Sequence, residues 1–93
     1  MIPIRWTTPA LADLAAIGEF IAADDPAAAG RVVRAIWART ERLQESPDVG
    51  RPGRVSGTRE LVLPPLPYIV VYSRLEQELQ VISVLHGSQQ YPP

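Results

Sequence analysis

The sequence predicts a single α+β domain, and three observations carry that reading. Two stretches with apolar residues at helical spacing follow one another directly, one short β-rich run precedes them, and three more come after. A block of helices between one strand and a run of three cannot wind a parallel sheet of alternating units. The economical order is β-α-α-β-β-β. It comprises an N-terminal strand, an antiparallel helical hairpin and a three-stranded antiparallel meander, with the helices packed on one face of the sheet. A chain of 93 residues holds one core, so residues 1–93 form one domain.

The elements follow from local grammar. Ile2-Pro3-Ile4-Arg5-Trp6 alternates and is rich in β-formers, while Pro3 confines it to an edge strand or to a strand's first residues. Thr7-Thr8-Pro9 then supplies a capping hydroxyl and a proline at the first helical position. Leu11, Leu14, Ile17 and Ile21 recur at helical spacing, which predicts a helix from Pro9 to Ala23. Asp24-Asp25-Pro26 repeats the signal. Val33, Ile36, Thr40 and Leu43 draw a second stripe, giving a helix from Pro26 to Glu45. The short link between the two makes them an antiparallel hairpin. Ser46-Pro47 stops the second helix, and Gly50, Pro52, Gly53 and Gly57 mark an irregular loop carrying Arg51, Arg54 and Arg59. Strands are expected at Arg59–Leu63, Tyr68–Ser73 and Leu79–Leu85. Pro64, Pro65 and Pro67 lie in one connection and Glu76-Gln77-Glu78 in the other. The tail from Gln89 to Pro93 is expected to be extended.

Composition narrows the function classes. Hydrophobic residues make up 46% and charged ones 20%, as in a globular domain. The absence of cysteine excludes disulfides, thiolate nucleophiles and cysteine-ligated metals, and fits a reducing compartment. Met1 to Thr8 lacks the pattern of a secretory signal, and no stretch approaches the about 20 apolar residues of a membrane span. The cytoplasm is therefore the expected location, with no membrane contact. Net charge is −1 and the pI about 5.7, so any nucleic-acid contact must be local. One histidine without cysteine builds no closed metal site, and Gly50-x-x-Gly53 follows a helix where a phosphate loop would follow a strand. No serine has a nucleophile-elbow context. No metal and no cofactor are expected.

Four segments carry a family likeness: Gly50-Arg51-Pro52-Gly53-Arg54, Gly57-Thr58-Arg59-Glu60-Leu61, Pro67-Tyr68-Ile69-Val70-Val71-Tyr72 and Val84-Leu85-His86-Gly87. With the Ala12-x-Leu14-x-x-Ile17 start of the first helix, they make nearly the whole chain resemble the RelE/ParE toxins of type II toxin–antitoxin systems. The resemblance implies a toxin that arrests growth and is neutralised by a cognate antitoxin, with which it would form a hetero-oligomer. Its target would be either messenger RNA on the ribosome, as in the endoribonuclease branch, or DNA gyrase, as in the non-catalytic branch. A non-toxic member of the family is the third reading.

RNA cleavage through the 2′-hydroxyl needs a proton acceptor, cations for the phosphorane-like charge and an acid for the leaving oxygen. His86 is the only histidine and sits where the last strand meets a glycine, making it the candidate acid or base. Counting by twos from Gln80 puts Ile82, Val84 and His86 on one strand face and predicts that His86 is partly desolvated. Arg54 and Arg59 complete the candidate catalytic set, and Arg51 joins them as a phosphate grip. Arg74, Tyr72 and Tyr91 are candidate target-binding residues. Tyr91 resembles in placement the C-terminal tyrosine of the nuclease branch, where an aromatic ring stacks on a base. The exposed apolar residues of the hairpin, Trp37 and Ala38 among them, would receive the antitoxin. Two departures weigh against the nuclease branch: Ile69 stands where that branch tends to carry an arginine, and arginines replace its paired lysines, which are better suited to exchange a proton.

Overall fold

A computed structural model describes residues 1–93. The chain runs β1 (Ile4–Trp6), α1 (Thr8–Ala22), α2 (Pro26–Glu41), a 3₁₀ turn (Arg42–Gln44), β2 (Arg51–Pro52), β3 (Arg59–Val62), β4 (Tyr68–Arg74) and β5 (Leu79–His86). The strands form one sheet in the order β1-β5-β4-β3-β2, antiparallel throughout except that β1 lies parallel to β5. The hairpin inserted after β1 is what carries the chain across so that β1 and β5 run in the same direction.

Both helices begin as the caps predict. Thr7 Oγ1 accepts the Ala10 amide at 3.3 Å, and Asp25 Oδ1 accepts the Ala28 amide at 3.1 Å, with proline inside each first turn. The second α-helix is shorter than expected: it ends at Glu41 and tightens into the 3₁₀ turn. Pro47 bars the helix from continuing through Ser46, and the chain closes beforehand in a tighter turn in which the Glu45 amide donates to the Arg42 carbonyl. The helices cover one face of the sheet. Ala10, Leu14 and Ile36 pack there on Leu63, Tyr68, Val70, Val81 and Val84, and Leu43 extends the layer onto Tyr72 and Leu79. Ile69, Val71 and Leu85 form a smaller cluster on the outer face, where Tyr91 of the tail packs. Each of the buried leucine, isoleucine and valine side chains contributes ~1.5–3 kcal/mol by leaving water.

Two further details differ from the sequence reading. Arg51–Pro52, expected within an irregular loop, is a short edge strand on β3, with Arg51 opposite Glu60. Pro52 is tolerated because an edge position demands no ladder hydrogen bond from its nitrogen. The second difference is in β5. Val71 pairs with Ser83 but Tyr72 pairs with Val81, which leaves Ile82 as the extra residue of a β-bulge. The period-two count therefore fails across the bulge: Ile82 joins the outer cluster, whereas Val81 and Val84 both face the helices. Two side chains from the start of the chain hold the bulge. Asp13 accepts the Ser83 hydroxyl at 2.8 Å and the Val84 amide at 3.0 Å, and Thr7 Oγ1 donates to the Val81 carbonyl at 2.8 Å.

Candidate functional site

The arginines that the sequence places in one loop separate into two groups. β3 sets this division, because Arg59 pairs with Tyr72 on the helix side while Glu60 pairs with Val71 on the outer side. On the outer side, Arg51 donates to Glu60 Oε1 through Nε at 3.3 Å and Nη2 at 2.9 Å. Arg54 adds its backbone amide to Glu60 Oε2 at 2.9 Å and brings its Nε within 3.5 Å of Oε1. The Glu60 side chain is 1% exposed. Burial alone would raise its pKa, but the Arg54 amide and the two guanidinium groups outweigh that cost and hold it below the ordinary carboxylate value.

At the other end of the helix-side face, Arg59 and Arg74 converge on Asp48. Arg74 Nη1 lies 2.9 Å from Asp48 Oδ2, and Arg59 Nε lies 3.8 Å from Oδ1. Arg59 Nη1 also donates to the carbonyls of Asp48 and Gly50, at 3.1 and 2.8 Å. Tyr72 is the peg beneath this loop. Its hydroxyl accepts the Gly50 amide at 3.0 Å and donates to the Pro47 carbonyl at 2.8 Å. Gly50 is required by this close approach, since a Cβ there would stand 2.7 Å from the Tyr72 oxygen. Burial raises the pKa of the Tyr72 phenol above 10.0, against the opposing pull of the Gly50 hydrogen bond. Tyr72 is wholly buried, so the expected contact with a target is corrected to a role in holding the loop.

His86 stands elsewhere. It pairs with Tyr68 at the opposite end of β4, four residues from Tyr72 and two strands from Arg59. At ~3.3 Å per residue and ~4.8 Å per strand, their Cα atoms are about 16 Å apart. The side chain is exposed, against the expected partial burial, because His86 is the last residue of β5 and stands at the end of the sheet beside an open cleft. Nδ1 accepts the Ser88 amide at 3.1 Å, which places the proton of a neutral ring on Nε2. The ring meets Tyr68 edge-on and borders an open cleft with Asp13, Ile17 and Phe20 of α1. Tyr91 lies on the opposite face of the sheet, packed against the outer cluster. His86, Arg54 and Arg59 are thus not assembled around one reacting atom.

No group of histidine, cysteine, aspartate or glutamate is arranged to hold a metal, and no helix is long and apolar enough to cross a membrane. Sequence reasoning missed Asp13. Its signal was an acid flanked by Leu11, Leu14 and Ile17 in an otherwise uncharged stretch of helix, a position that calls for a partner.

Residues 4–91 match the family model described as the ParE toxin of the type II toxin–antitoxin system parDE. The chain belongs to this toxin family. It is 48% identical over 89 residues to Y4kP of Sinorhizobium fredii, a chain named as a candidate toxin, covering 96% of this chain and 92% of that one. Toxin RelE2 of Caulobacter vibrioides is 33% identical over 89 residues, with 96% and 99% covered. Among solved structures, the chromosomal ParDE system of P. aeruginosa superposes with a TM-score of 0.86 at 29% identity, covering 92% of this chain and 96% of that one. The RelBE2 toxin–antitoxin complex of Mycobacterium tuberculosis shares the fold, with a TM-score of 0.61 at 24% identity and coverages of 91% and 96%. The chain is the toxin of a type II toxin–antitoxin module, with the α+β architecture the sequence predicts.

Proposed function

We propose that this toxin arrests growth by binding its target and cuts no RNA. One observation carries the reading: the only histidine lies about 16 Å from Arg59, while Arg51 and Arg54 face the other side of the sheet and are already engaged by Glu60. General acid–base catalysis needs the titrating group within hydrogen-bond reach of the same reacting atoms that the cations hold. A binding toxin has no such requirement, and a gyrase-like cytoplasmic target fits it better than a messenger on the ribosome.

Neutralisation by an antitoxin is supported by the helical hairpin. Leu11, Phe20 and Trp37 are exposed on it, with Trp37 stacked on Trp6 at 4.7 Å, and a shallow apolar groove runs between α1 and α2 past Leu11, Ala15, Gly18 and Val33. An amphipathic antitoxin helix laid in that groove would cover them. The test is expression of His86→Ala and Arg54→Ala toxins with and without the neighbouring antitoxin. His86→Ala is expected to arrest growth fully, and primer extension on cellular messenger RNA to show no induced cuts. Loss of toxicity in His86→Ala, together with new 5′ ends in the wild-type culture, would restore the nuclease.

A further inference from the structure

We propose that Arg59 and Arg74 form a binding site for a dianionic phosphate group, held shut in the free chain by the chain's own Asp48. The site lies outside the groove assigned to the antitoxin and does not depend on which target the toxin has. Two guanidinium groups converge there on one carboxylate, beside a cleft of about 330 Å³ lined by Asp48, Pro52, Gly57, Thr58, Arg59 and Arg74, none of them hydrophobic.

The contrast with the neighbouring arginine group identifies which pair is available. Glu60 is 1% exposed and is fastened by the Arg54 amide as well as by Arg51, so a ligand reaching those arginines would have to strand a buried carboxylate. Asp48 is 56% exposed and makes one close contact, to Arg74, plus a looser one to Arg59. Surface pairs of this kind contribute little, and a displaced Asp48 is simply hydrated. Arg59 is meanwhile fixed by two main-chain carbonyls, and the loop that supplies them is pegged by Tyr72. One guanidinium is therefore preorganised, and the other, on Arg74 at the end of β4, is free to swing. Each fork uses only its Nη1 in hydrogen bonds to the protein, and both side chains line the cleft, an arrangement suited to a tetrahedral oxyanion.

The gate also selects the ligand. Asp48 is a carboxylate tethered beside the site, and its effective concentration exceeds that of any free peptide carboxylate of equal charge. An acidic peptide therefore loses to it. A phosphate monoester carries nearly twice the charge and has three terminal oxygens, so it can engage both forks and displace the tethered group. The ligand is a terminal phosphate, on a small nucleotide or on a nucleic-acid 5′ end.

The experiment follows the Nε–H signals of Arg59 and Arg74 by NMR in the purified full chain at neutral pH, with inorganic phosphate as the first probe. Saturable shifts of both signals are expected. Asp48→Asn should tighten binding by on the order of 5-fold, the upper value for releasing a surface pair. Arg74→Ala should abolish the response while the backbone spectrum stays folded. A 5′-phosphorylated oligonucleotide binding more tightly than phosphate assigns the site to nucleic-acid ends, and equal affinity assigns it to small phosphates. The proposal is overturned if Asp48→Asn leaves the phosphate affinity unchanged. An acidic peptide or an unphosphorylated oligonucleotide shifting the two signals as strongly as phosphate does would also overturn it.

Discussion

Replacing Glu60 by glutamine removes one charge without changing the shape of the side chain, and it tests how the outer arginine group is held. The carboxylate is 1% exposed and accepts from Arg51 Nε and Nη2 and from the Arg54 amide. A glutamine oxygen can keep either the two Arg51 bonds or the Arg54 amide bond, but its NH₂ group then faces a donor. Losing one partner of a fully buried pair costs ~3–5 kcal/mol. Here the arginines are 52% and 37% exposed and can turn to water, so the surface value applies to their share and the expected loss is about 2 kcal/mol. At about 4–8 °C per kcal/mol for a domain of this size, the melting temperature should fall by roughly 8–16 °C.

The pH dependence provides an independent check. Glu60 has a folded pKa below its unfolded value of 4.5, so its stabilisation is present above pH 4.5 and is lost as pH falls through the folded pKa. Urea unfolding of wild type and Glu60→Gln between pH 7 and pH 3 reads both effects. The two stability curves should differ most at neutral pH and converge in acid. A constant gap across that range would refute the argument, as would a variant with the wild-type urea midpoint and slope.

Two further perturbations test other joints of the structure. Tyr72→Phe removes the hydroxyl that joins the Gly50 amide to the Pro47 carbonyl; it should cost about 1–3 kcal/mol in urea unfolding and broaden the NMR signals of residues 47–50. Because burial raises the Tyr72 pKa, the contribution of this residue to stability is complete below pH 10.0 and is lost as pH rises through the folded value, a decline the Tyr72→Phe protein should lack. Asp13→Ala strips the bulge in β5 of its acceptor; hydrogen exchange at the Val84 amide should accelerate by about 10-fold or more, while the distant Leu61 amide keeps its protection.

Local chemistry determined much of this protein before any contact was known. The Thr7 and Asp25 caps, each followed by proline, start both helices because a cap requires only a side-chain oxygen a few residues from the orphan amides. Helical and alternating periodicities then separate the hairpin from the meander, and the short Asp24-Asp25 link leaves the helices no option but to turn back. The family likeness was legible for the same reason, being carried by contiguous segments.

The site depended on relations that no local pattern carries. His86 was placed by counting in twos along β5, and the count failed at Ile82 because the bulge is held by Thr7 and Asp13, 70 to 74 positions before the residues they bond. Arg51, Arg54 and Arg59 look like one cluster in sequence, yet successive residues of a strand point to opposite faces, so Arg59 and Glu60 draw their partners to different sides of the sheet. Charge counting could supply the arginines and the acids. Only the packed sheet decided that Glu60 would be buried among Arg51 and Arg54 while Asp48 stayed exposed between Arg59 and Arg74, because burial is set by what lies above a residue and not by what precedes it.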